Sequence, residues 1–250
     1  MVRRLSWWHG SGLAFIAVVV LITAMLRIGG LHACEALAEP DPACMAAGGS
    51  ARDCKPKGDP ILAFELAKTP AEVEAQFPLA CREEATVAQA KGLRLDNLAF
   101  IPAYGAALIL ALQALGRDLP ARRGCAQAAI LLVMVAMAYD WWENSRLLAV
   151  LAQMPGDQAT IDQLIAAPRI KFALLGLAEA IAGWLILGLG GWRRLAGLAA
   201  IAGGGLTLIG LTGHPHWIAQ GGPIAFAAIA VTAWAGATAG CLARSSARRT

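Results

Sequence analysis

The chain has 250 residues, of which 58% are hydrophobic and 15% charged, and its mean hydropathy is +0.57. A soluble domain carries about 25% charged residues, so the composition indicates a membrane protein and argues against a soluble globular fold. The formal charge of +4 arises from segregated basic clusters, with no basic patch interleaved with aromatics, so nucleic-acid binding has no support.

A helix needs roughly 20 apolar residues to cross a bilayer core. Six runs approach or meet that length: Gly12–Ile28, Leu98–Leu115, Cys125–Asn144, Ile170–Leu189, Leu195–Thr212 and Pro223–Cys241. They predict an all-α, six-helix transmembrane bundle, a single integral membrane domain over 1–250. Its one sizeable extracytoplasmic segment is a small disulfide-stapled loop, 29–95, between the first and second helices. Arg3 and Arg4, then Arg117, Arg122 and Arg123, then Arg193 and Arg194, then Arg244, Arg248 and Arg249 all fall on one side of this arrangement. Asp118 is the one acid among them. Excess Lys and Arg in short loops marks the cytoplasmic face, so the expectation is a multi-pass protein of the bacterial inner membrane with both termini cytoplasmic.

Along the first span, Arg3-Arg4 before an apolar core and Leu31-His32-Ala33-Cys34 have the rough outline of a cleaved lipoprotein signal. Arg27 interrupts that core and His32 is unusual just before a cut, which favours a retained anchor. Trp7, Trp8 and Trp192 fall beside the inner arginines and Trp141, Trp142 and Trp217 at the outer ends, as interfacial belts require. Trp184 and Trp234, nearer mid-span, read as packing residues.

The outer segment carries Cys34, Cys44, Cys54 and Cys81, a pattern that suggests two disulfides with three possible connectivities. No Cys-x-x-Cys occurs, so zinc binding and thiol redox catalysis are the weaker readings. Cys125 and Cys241 lie near inner helix ends and are expected to be reduced. Residues 36–60, rich in Gly, Pro, Ala and charge, read as irregular. Thr69-Pro70-Ala71-Glu72 is a helix start with capping-box spacing, leading to a short helix that ends near Phe77. Arg82–Lys91 reads as a second helix, with Gly92 separating it from the second span. The segment is too small for a large core of its own and reads as a cap on the outer membrane face. Ile61–Ala67 is apolar apart from Glu65, which either sits in water or turns towards the bundle.

In the third span, Asp140, Glu143 and Asn144 stand at i, i+3 and i+4, on one helical face. Asp140 lies about 24 Å above the inner edge, close to the outer interface. Lys171 is level with it on the antiparallel fourth span, and Glu179 lies eight residues deeper. Asp96 and Asn97 open the second span, with Tyr104 two turns below. The candidate polar cluster is therefore Asp96, Asn97, Tyr104, Asp140, Glu143, Asn144, Lys171 and Glu179. The cytoplasmic halves of the spans are nearly all Ala, Leu, Gly and Ile, so any site opens outward.

Carboxylates at membrane depth mark either a functional site or a buried partner. Three readings follow: an outward-facing pocket that binds or moves a small polar solute, ion or lipid headgroup; an outer-leaflet enzyme using Asp140 or Glu143 as general base; and a structural or assembly subunit in which the cluster only clamps spans three and four. The turn His214-Pro215-His216 is a weak metal signal, and no span carries a histidine in its interior to ligate haem, so no cofactor is assigned. Partners are the lipid bilayer, a small polar ligand or lipid, and either a second copy or another membrane subunit.

At Phe64-Glu65-Leu66-Ala67, Leu95-Asp96-x3-Phe100-x3-Tyr104, Asp140-x2-Glu143-Asn144 and Lys171, over about residues 60–190, the chain resembles a group of bacterial polytopic integral membrane proteins with no established activity. The resemblance implies that these positions act as a unit. It does not extend to the cysteines at 34–54 or to the His-Pro-His turn.

Overall fold

Unbroken apolar runs give helices throughout, and the computed structural model, which describes residues 7–28, 46, 60–77 and 79–246, has no strand among them. The elements used below are α1 (Trp7–Ile28), α2 (Pro60–Glu65), α3 (Pro70–Gln76), α4 (Arg82–Leu95), a π-helical turn (Asp96–Phe100), α5 (Ile101–Asp118), α6 (Arg123–Ala152), α7 (Gln158–Leu164), α8 (Ala166–Leu187), α9 (Arg193–Gly210) and α10 (Pro215–Ser246).

The six long helices form a closed ring, α1–α5–α6–α8–α9–α10 and back to α1, with α8 also touching α10 behind α9. Apolar side chains line the outside of the ring: Leu13, Val19, Leu131, Met134, Leu177, Leu198 and Val231 are all exposed. A soluble monomer avoids so large an apolar surface, whereas a bilayer accommodates it.

Five segments are long and apolar enough to span: Trp7–Met25, Leu79–Asp118, Pro120–Ala152, Gln158–Leu187 and Pro215–Thr238. The sixth expected span, Leu195–Thr212, folds as α9 but falls outside this set. The reason is local: α9 has 18 residues, and Arg193 and Arg194 occupy its first turn. Close approach to its neighbours depends on facing glycines. A Cβ on Gly183 would stand 2.6 Å from the Gly197 carbonyl oxygen, and one on Gly203 would stand 2.6 Å from that of Gly221. Small residues let the backbones of α8, α9 and α10 meet where larger side chains would hold them apart.

Three further expectations are corrected. Gly92 does not separate the cap from the second span, since α4, the π turn and α5 run as one continuous rod. Trp8 is buried, its indole donating to Asp118 Oδ2 at 2.9 Å. Trp184 and Trp234 are exposed instead of packed; Trp184 lies near the C-terminal end of α8, where the Arg122 guanidinium sits 4.2 Å from its ring centroid.

The segment between the first two long helices is more than a thin lid. α6 has 30 residues, about 45 Å, so it outreaches a hydrocarbon core of about 30 Å. Its last turns supply Leu147, Val150 and Leu151 to a second apolar core, shared with Phe64, Val73, Phe77, Leu93, Ile161 and Leu164. The Phe64 and Phe77 rings meet edge to face at 5.2 Å. The cap thus builds its core by borrowing the protruding end of a membrane helix. Thr69 Oγ1 accepts from the Glu72 N–H at 3.2 Å, as expected, while the Glu72 carboxylate accepts from the Lys68 N–H at 2.6 Å. Asp157 likewise caps α7, a helix the sequence had not suggested, accepting from the Thr160 N–H at 2.7 Å.

Cys34, Cys44 and Cys54 lie outside the described residues, and so does their pairing. Cys81 is not a free thiol, whereas Cys125, at the start of α6, is free and exposed.

Candidate functional site

The polar residues form a layer between the two apolar cores. Along α6 the order is Ala129 and Val133 in the membrane core, then Asp140, Glu143 and Asn144, then Leu147 and Val150 in the cap core. The rod containing α4 and α5 repeats it with Leu93, then Asp96 and Asn97, then Ile101 and Tyr104. On the third side, Leu164 precedes Lys171, and Ala178 follows it.

Lys171 is the centre. Its Nζ lies 2.9 Å from Glu143 Oε2, 3.2 Å from Asp140 Oδ1 and 3.5 Å from Glu65 Oε2. Glu65 is therefore drawn to the bundle by a charge on α8, which decides between its two expected placements. Glu143 is fully buried, and neither of its carboxylate oxygens has a hydrogen bond of good geometry, although Oε2 is in ion-pair range of the ammonium. Asp140 is better satisfied, since Tyr104 Oη donates to its Oδ2 at 2.9 Å.

A second half of the layer is built around Asn144, whose Nδ2 donates to Asp96 Oδ2 at 2.6 Å and to Asn97 Oδ1 at 3.0 Å. The π turn brings these acceptors to α6. In that turn the Ile101 N–H donates to the Asp96 carbonyl, five residues back. The corresponding donor for the Asn97 carbonyl would be residue 102, which is proline and has no N–H. The Trp141 indole takes that place, donating to Asn97 O at 3.0 Å. Wide helical turns of this kind are frequent at functional sites.

Of the eight residues expected to cluster, seven are joined by these contacts: Asp96, Asn97, Tyr104, Asp140, Glu143, Asn144 and Lys171. Glu179 stands apart, buried in the membrane core with Oε2 lacking a hydrogen bond. His214 and His216 are exposed, with ring centroids 5.9 Å apart. Among the described residues, no group of three His, Cys, Asp or Glu residues is arranged to hold a metal ion.

Within the layer, three carboxylates converge on one ammonium, and a fourth lies beyond Asn144. Such an arrangement can receive a further positive charge. No family model, curated protein or solved structure matches the chain.

Proposed function

We propose that the chain is a multi-pass protein of the bacterial inner membrane that takes a small cation or cationic solute from the outer side into the layer beneath its cap. One observation carries this reading: Glu65, Asp140 and Glu143 share a single Lys171 ammonium, and both oxygens of the buried Glu143 lack a well-formed hydrogen bond. A buried acid excess of this kind calls for compensation by a proton or by a bound cation.

The segregated arginines support cytoplasmic termini. The exposure of Leu195, Leu198 and Ile209 supports α9 as a sixth crossing, since these residues place an apolar face outward over its whole length. The four cysteines of the outer segment, Cys34, Cys44, Cys54 and Cys81, fit two disulfides that fasten the cap. The contacts among Glu65, Asp96, Asn97, Tyr104, Asp140, Glu143, Asn144 and Lys171 support reading these positions as a single functional set.

The test is a thermal-shift series on the full-length protein in detergent, with sodium, calcium, choline and ethanolamine as probes. At least one should raise the melting temperature of the wild type and have no effect on Asp140→Asn and Glu143→Gln. No shift with any probe, or one unchanged by both substitutions, would reject the site and leave a purely structural clamp.

A further inference from the structure

At the end of the bundle away from the cap, a cavity of about 230 Å³ opens between α1, α5 and α6. Its polar wall is Gln113, Arg117, Arg123 and Gln127, and its floor is apolar, with Leu112 and Ile130. Trp7 closes one side, and the Arg117 guanidinium stands 5.8 Å from its ring centroid.

No acid lines the cavity. Asp118, beside Arg117, is engaged elsewhere by the Trp8 indole. Neither Arg117 nor Arg123 has an ion-pair partner among the described residues. Two uncompensated guanidinium groups, two side-chain amides and an aromatic ring over an apolar floor are complementary to an anionic head with a hydrocarbon tail. The volume falls below the roughly 300 Å³ at which sites for whole drug-sized ligands begin, so it suits a headgroup whose chains stay outside. The cavity lies among arginines at a helix end, at the level where basic pockets between membrane helices meet lipid phosphates.

We infer that this cavity seats the phosphate headgroup of an anionic phospholipid from the adjacent leaflet, gripped by Arg117 and Arg123, with an acyl chain leaving along Leu112 and Ile130. The inference is independent of the acidic layer at the other end of the molecule.

The full-length protein, purified in detergent, is titrated with phosphatidylglycerol, with phosphatidylcholine of the same chains, and with inorganic phosphate, and bound lipid is read by native mass spectrometry and by melting temperature. Phosphatidylglycerol should bind on the order of thirty-fold more tightly than phosphatidylcholine, about five-fold for each arginine. Arg117→Gln with Arg123→Gln should abolish this preference, while Arg193→Gln with Arg194→Gln, outside the cavity, should leave it intact. Should the first double variant fail to fold, Arg117→Gln alone should reduce the preference about five-fold. Equal binding of the two lipids, or equal loss in both arginine pairs, would overturn the inference. So would a phosphate shift matching that of the lipid, which would mean a soluble-anion site.

Discussion

Lys171 Nζ on α8 stands 2.9 Å from Glu143 Oε2 and 3.2 Å from Asp140 Oδ1, so one ammonium holds two carboxylates one helical turn apart on α6. Removing one partner of a buried ion pair typically costs about 3–5 kcal/mol, because the other charge is left buried and unpaired. Lys171→Met should destabilise the protein by that order in denaturation from detergent. In a Glu143→Gln background the same substitution should cost at least about 1 kcal/mol less, since one stranded charge has been removed. Identical losses in the two backgrounds would contradict the coupling.

The α8–α9 contact makes a sharper steric prediction. Gly183→Ala would push a methyl group against the Gly197 carbonyl oxygen and should lower the melting temperature markedly. Gly205→Ala meets nothing within 4 Å, and the better helix propensity of alanine should make it neutral or stabilising by up to about 1 kcal/mol. A melt in which both variants behave alike would count against the glycine-mediated contact.

The cap has its own core and should therefore loosen by itself. Phe64 and Phe77 are fully buried against each other and against the end of α6. Phe77→Ala should cost about 3–5 kcal/mol of cap stability. Hydrogen exchange should show faster opening over 60–95 and little change in α9 and α10. Uniformly faster exchange would mean that the two cores unfold together.

Asp157 provides the pH dependence. The Thr160 N–H at its carboxylate holds its pKa below the ordinary value of 3.8. A depressed carboxylate stabilises the fold above its unfolded pKa, and that contribution fades as the pH falls through the lower native value. The melting-temperature difference between wild type and Asp157→Ala should be constant near neutrality and disappear as the pH drops below 3.8. A difference that persists in acid would exclude the carboxylate cap as its source.

Helical periodicity and the cost of placing charge in lipid were enough to put Asp140, Glu143, Asn144 and Lys171 at one level. Both properties are local and therefore legible in the sequence. Glu65 was undecided because its environment is made by Lys171, 106 positions away. The cap core was missed for a similar reason: Leu147, Val150 and Leu151 look like the tail of a span, and only the tertiary arrangement sets them against Phe64 and Phe77. Glu179 was grouped with the cluster by stripe and spacing, but eight residues of α8 are too far for a direct bond to the layer. The wide turn did have a visible signal in Pro102, which removes the N–H five residues beyond Asn97.

That turn also sets the angular relation between the two ends of the rod. It holds one residue more than an α-helical turn, so everything beyond Phe100 is rotated by about 100° relative to an uninterrupted helix. The cap face of α4 and the membrane face of α5 are therefore oriented independently, although they belong to one continuous helix. Regularising the turn at unchanged length would swing one end about the axis, so the cap could remain docked only by giving up the contacts of Asp96 and Asn97 with Asn144, whereas deleting one residue between Asp96 and Phe100 would close the turn to α and keep both faces aligned.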